Sequence, residues 1–72
     1  MSRIRRRFEQ ILEPAGIRLD GSDPWDIQVH NPDLFMRIVR EGTLGLGEAY
    51  MDGWWDCEAL DQMITRGFRA GL

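Results

Sequence analysis

Residues 44–56 read LGLGEAYMDGWWD, thirteen positions that hold three glycines, a tyrosine, two adjacent tryptophans and three carboxylates. Two foldings of this run stand against each other. Asp52-Gly53 suits the tight turn of a hairpin. Alternatively, residues 46–52 form a short helix closed by Gly53 in the left-handed conformation, and residues 54–57 then run on as a strand. The helical reading is preferred, because Leu46 and Tyr50 lie four apart, as do Gly47 and Met51, and the small residues permit close backbone packing. On a strand Trp54 and Trp55 point to opposite faces, so one belongs to the core and the other to the surface. Trp54 is expected inside, on the sheet face that must also receive Leu60, Met63 and Ile64.

On the N-terminal side of this run, HNPDLFMRIVREG (residues 30–42) carries the signals of a helix: Asn31 as N-cap, Pro32 at the first helical position, Asp33 at the positive end, and Gly42 after Glu41 as a left-handed stop. Leu34, Phe35, Ile38 and Val39 form its apolar stripe, with Arg37 and Arg40 facing away. Before it, Ile17 and Leu19 alternate with polar neighbours, as do Trp25, Ile27 and Val29, whose opposite face holds Asp26, Gln28 and His30. Joined by the turn-rich DGSDP (residues 20–24), the two segments predict a hairpin with one buried face. Ile4, Phe8, Ile11 and Leu12 define a first helix that ends before Pro14. On the C-terminal side, Leu60, Met63, Ile64 and Phe68 recur at helical spacing with Asp56 as the expected N-cap. That helix runs into RAGL (residues 69–72), and the chain is expected to be a piece of a longer protein.

The glycines of the opening run do not form a nucleotide loop. A dinucleotide fingerprint requires a third glycine where Tyr50 stands, and no Gly-Lys-Ser/Thr follows. The acids Glu48, Asp52, Asp56, Glu58 and Asp61 lack the spacing of a calcium loop, and the single histidine, His30, is distant, so no metal site is expected. No nucleophile, base and orienting group occur together, and no catalytic residue is expected. The lone Cys57 excludes an internal disulfide and points to a reducing compartment.

At 72 residues the chain is small enough for its core to be marginal. No apolar run reaches the length of a membrane span. All nine basic residues are arginines, four of them (Arg3, Arg5, Arg6, Arg7) at the N-terminus, while the net charge is −3. An acidic body disfavours nucleic acid as a partner. The N-terminal arginines have two readings: contact with anionic lipid headgroups, or an ordinary solvated first turn. An exposed aromatic beside Tyr50 and Met51 is likewise what a lipid or partner contact would use, whereas a buried one is only core.

NPDLFMRIVREGTLGLGEAYMDGWWD (residues 31–56), with the preceding AGIRLDGSDPWDIQVH (15–30) and the terminal RAGL, resembles the N-terminal domain of the bacterial cyclopropane-fatty-acyl-phospholipid synthases over about residues 15–72. The arginine-rich start is the part least similar. The resemblance implies a parent enzyme that adds a methylene bridge across the double bond of a phospholipid acyl chain using S-adenosylmethionine. It places the cofactor-binding and catalytic residues in a larger downstream domain, so neither is expected within these 72 residues. It further implies a cytoplasmic protein peripheral to the inner membrane. The expected fold is α+β, about four helices on a short two- to three-stranded antiparallel sheet, with a pattern similar in part to sterol-carrier folds. Two functions follow as expectations. In the first, Tyr50, Met51, Trp54, Trp55, Arg3, Arg5, Arg6 and Arg7 contact phospholipid or a membrane surface; in the second, the domain docks on the catalytic domain of the same polypeptide without lipid contact.

Overall fold

The computed structural model describes residues 3–71. Helix α1 (Arg3–Leu12) turns Ile4, Phe8 and Leu12 toward the core, leaves Ile11 largely exposed, and passes into a single 3-10 turn (Glu13–Ala15) where Pro14 interrupts the α-helical ladder. The chain then makes one bridge, one short strand β1 (Gln28–Val29), helix α2 (Leu34–Met51), strand β2 (Trp55–Asp56) and helix α3 (Leu60–Arg69). Among the described residues the fold is a small α+β domain with three α-helices, the second of them kinked, and one two-stranded sheet. Two of the expected helices are halves of α2.

Alternation correctly marks the inward residues Ile17 and Ile27, but the two segments do not form a hairpin. Leu19 and Ile27 meet in a single parallel bridge, with Ile27 N–H donating to Arg18 O (2.9 Å) and Asp20 N–H to Ile27 O (2.7 Å). Asp26 explains the departure. Expected on the polar face, it is 1% exposed, and its carboxylate accepts from Arg18 N–H (2.8 Å) and Asp23 N–H (2.9 Å). These bonds gather residues 18–26 around one side chain and leave no room for a regular antiparallel ladder. A Cβ at Gly21 would collide with the same carboxylate. The antiparallel partner of β1 is instead β2, with Gln28 opposite Asp56 and Val29 opposite Trp55.

In α2 the side chain of Asn31 accepts from Asp33 N–H (2.8 Å), so the predicted N-terminal signal operates one turn ahead of Leu34. At Gly42 (φ 66°, ψ −143°) the backbone leaves helical geometry and a second helical half follows at an angle. Such a conformation is essentially restricted to glycine. The kink folds the second half against the first, and a Cβ on Gly45 would stand 2.8 Å from Arg37 O and from Glu41 Cβ. This is the function of the first glycine in LGLG: close packing of the helix onto itself.

Gly53 (φ 78°) closes α2 as the sequence predicts. Its N–H donates to Tyr50 O (3.1 Å) and Trp54 N–H to Ala49 O (2.9 Å), the paired bonds of a Schellman cap. Gly53→Ala should therefore lower stability by about 1 kcal/mol, from the cost of a Cβ in that conformation alone, since no atom stands near the added methyl. An unchanged urea midpoint would contradict the cap.

The core joins Ala15, Ile17, Ile27, Leu34, Phe35, Ala49, Trp55 and Cys57. Phe8 of α1 meets Phe35 of α2 with ring centroids 5.3 Å apart. Helix α3 seats Leu60 and Met63 inward and leaves Ile64 and Phe68 exposed. Asp56 is not its N-cap; it lies in β2, where its carboxylate meets His30 Nε2 at 2.9 Å. The loop before α3 is held by Pro24, whose carbonyl accepts from Ala59 N–H (2.8 Å) and Cys57 Sγ (3.5 Å). Burial pushes the Cys57 thiol above its usual pKa, and the neighbouring Asp26, Asp56 and Asp61 act in the same direction.

Candidate lipid- or partner-contact site

The residues singled out in the sequence fall into two groups, one around the end of α2 and one on α1. In the first, Trp55 and Trp54 exchange the places expected of them. Trp55 is 3% exposed; its indole N–H donates to Leu46 O (2.9 Å) and the Tyr50 ring packs on it at 5.0 Å between centroids. The register of β2 against Val29 decides this, because it turns Trp55 under α2 rather than toward α3. Trp55 thereby belongs to the core.

Trp54 is half-buried, and the Arg37 guanidinium lies 4.7 Å above its ring centroid. Arg37 was expected to face away. Its side chain is only 13% exposed and pairs with Asp52 (2.8 Å), Glu48 (3.3 Å) and Glu41 (3.7 Å). The hydrogen bond to Asp52 is the main reason its pKa rises further above the ordinary arginine value. One side chain thus ties the first half of α2 to the second half and to the Gly53 turn. The signal available in the sequence was the Arg37–Glu41 spacing of four; the contacts with Glu48 and Asp52 exist only because Gly42 folds the helix back.

The exposed members are Tyr50, which is partly open, and Met51, which is 85% exposed. Leu44, missed in the sequence reading, is 67% exposed and lies seven residues from Met51, hence on the same side of the helix. Gly47 falls between them with open space where a Cβ would be. The result is an apolar strip on the second half of α2, beside a polar cluster held by Arg37.

On α1 the four arginines divide. Arg5 turns inward: its guanidinium meets Asp20 at 2.8 Å and lies 5.9 Å from the Phe35 ring centroid. Burial opposes ionisation of Asp20, but the Arg5 hydrogen bond, the Val29 N–H bond and the nearby charges of Arg5 and His30 outweigh it and hold the carboxyl below its ordinary pKa. Arg3, Arg6 and Arg7 are exposed. Among the described residues no cluster of three or more histidine, cysteine or acidic side chains could hold a metal ion, and no helix is long and apolar enough to cross a membrane.

Over 67 residues, 93% of its length, the chain is 56% identical to the cyclopropane-fatty-acyl-phospholipid synthase of Escherichia coli. The chain matches the N-terminal region of that synthase family. The synthase from a second Escherichia coli strain gives the same identity and coverage. A tuberculostearic acid methyltransferase of Mycobacterium tuberculosis is 34% identical over 59 residues, 78% of this chain and 14% of that protein. The match spans 18% of the synthase's own length. No family model matches the chain.

Proposed function

We propose that this chain is the N-terminal accessory domain of an S-adenosylmethionine-dependent cyclopropane fatty acid synthase, and that it engages membrane phospholipid for a catalytic domain elsewhere in the polypeptide. In this reading the downstream domain forms the methylene bridge on the unsaturated acyl chain. The names of the relatives support the lipid-modifying reaction. The glycine run does not suit S-adenosylmethionine. Gly45 is packed on Arg37 O inside a helix, and Gly47 is also helical, so the glycine run offers no loop of free amides to a nucleotide. The cofactor is therefore assigned to the rest of the enzyme.

The observation that carries the lipid assignment is the exposed strip of Leu44 and Met51, with Tyr50 at its edge, inside the stretch matched to the synthase. Side chains of this size gain roughly 1.5–3 kcal/mol each when removed from water, whether into acyl chains or against protein. Co-sedimentation of the 72-residue chain with phosphatidylcholine vesicles tests the assignment. Measurable binding is expected. Absence of binding to vesicles of any composition would overturn it and favour docking on the catalytic domain instead.

A further inference from the structure

We infer that the outward face of α1, formed by Arg3, Arg6 and Arg7, docks on an anionic lipid surface and sets the orientation of the chain there. The inference rests on the lipid reading above and adds the headgroup charge to it. These residues stand at positions i, i+3 and i+4, so they share one side of the helix, and all three are exposed. Among the described residues none of them enters an ion pair, whereas Arg5, one position away from Arg6, is held by Asp20. The placement of Arg3 and Arg6 is locally unfavourable, because the first turn of a helix carries positive partial charge and this one contains no acidic residue. Among the described residues no ion pair offsets that cost. An external anion does.

The distribution of charge selects the kind of anion. Four arginines and one glutamate give α1 a net +3, which leaves −6 for the rest of a chain whose total is −3. The chain measures 25 × 24 × 22 Å. Screening reduces interactions beyond about 8–10 Å at moderate ionic strength. A flat surface touched by α1 therefore meets the three arginines at close range, while much of the acidic remainder lies beyond the screening length. Nucleic acid is disfavoured by the acidic remainder of the chain, since a nucleic-acid-binding domain carries its basic charge over the body. The groove beside α1 is a different matter: Arg3, Arg5, Arg6 and Arg18 line it together with Glu9, Glu13 and Asp23, so the acids offset all but one of the positive charges and it is not an anion pocket.

The test compares the parent chain with Arg3→Gln/Arg6→Gln/Arg7→Gln and with the matching triple lysine variant, on phosphatidylcholine vesicles and on phosphatidylcholine mixed with phosphatidylglycerol. Glutamine has nearly the helix propensity of arginine, and the side chains point outward, so the circular dichroism of all three proteins should coincide. The parent should prefer the mixed vesicles, and high salt should remove that preference. The triple glutamine variant should bind mixed vesicles roughly 100-fold more weakly, from about a fivefold loss per basic residue, and bind neutral vesicles as the parent does. The lysine variant should retain the preference. Equal binding of parent and glutamine variant to mixed vesicles would overturn the inference, as would binding of duplex DNA as tight as that of mixed vesicles at the same salt. Failure here with neutral-vesicle binding intact leaves the lipid assignment standing; loss of all vesicle binding by the parent removes both.

Discussion

Trp55→Ala is expected to lower stability by roughly 3–5 kcal/mol, the range for removal of a large buried aromatic. Trp55 is a central member of the core: the ring is covered by Tyr50, the indole N–H is committed to Leu46 O, and β2 holds the backbone in register with Val29. Truncation leaves a cavity and deprives the Leu46 carbonyl of a donor. For a domain this small, a loss of that size amounts to most or all of the folding free energy. Trp54→Ala should cost far less, about 1–2 kcal/mol, because the half-buried ring loses part of its packing and the stacking of Arg37. Urea denaturation of the two variants followed by circular dichroism gives the comparison. Equal losses, or the larger loss at Trp54, would show that the register of β2 is misassigned.

Asp26→Ala is the second large effect. It removes the acceptor of two backbone N–H groups, at Arg18 and Asp23, and each donor left unpaired in a partly buried loop costs about 1–3 kcal/mol. A total of roughly 2–6 kcal/mol is expected. Gly21→Ala attacks the same arrangement from the other side, since its methyl would occupy the space of the carboxylate. The double variant Gly21→Ala/Asp26→Ala should then be less destabilised than the sum of the two single changes, because the small residue at position 26 makes room for the methyl. Additive losses in the same denaturation measurement would mean that the two residues do not share that space.

The parts of the fold legible in the sequence were those fixed by neighbours in the chain. Asn31 and Gly42 bound the first half of α2 through local hydrogen bonding and backbone conformation, and Gly53 ends the second half for the same reason. The periodicity of Ile4, Phe8 and Leu12 likewise identifies the buried side of α1. What failed depended on partners remote in sequence. Alternation separates the faces of residues 25–30 but does not say that β1 pairs with β2, which lies across the whole of α2. It also assigned Asp26 to the polar face by period alone, when the backbone donors of residues 18 and 23 bring it inside. Trp54 and Trp55 were known to diverge, yet which one turns inward follows from a register that no local signal carries.

The candidate site shows the same division. Met51 enters the candidate contact through its place beside Tyr50 and is open; Leu44 falls outside it because the preferred helix begins at residue 46, after the position that completes the strip. In the sequence the arginines at positions 3, 5, 6 and 7 form one basic cluster. Arg5 leaves that cluster because Asp20, one of the described residues with positive φ, presents its carboxylate to it.

The most direct test of the functional account is the partition of Leu44→Gln/Met51→Gln onto phosphatidylcholine vesicles, measured beside its urea midpoint. Both side chains are exposed and glutamine is a good helix former, so the midpoint should stay close to that of the parent. Vesicle binding should fall by at least about tenfold, as expected from the loss of two apolar contacts with acyl chains. Unchanged binding at an unchanged midpoint would contradict the assignment of this strip to phospholipid.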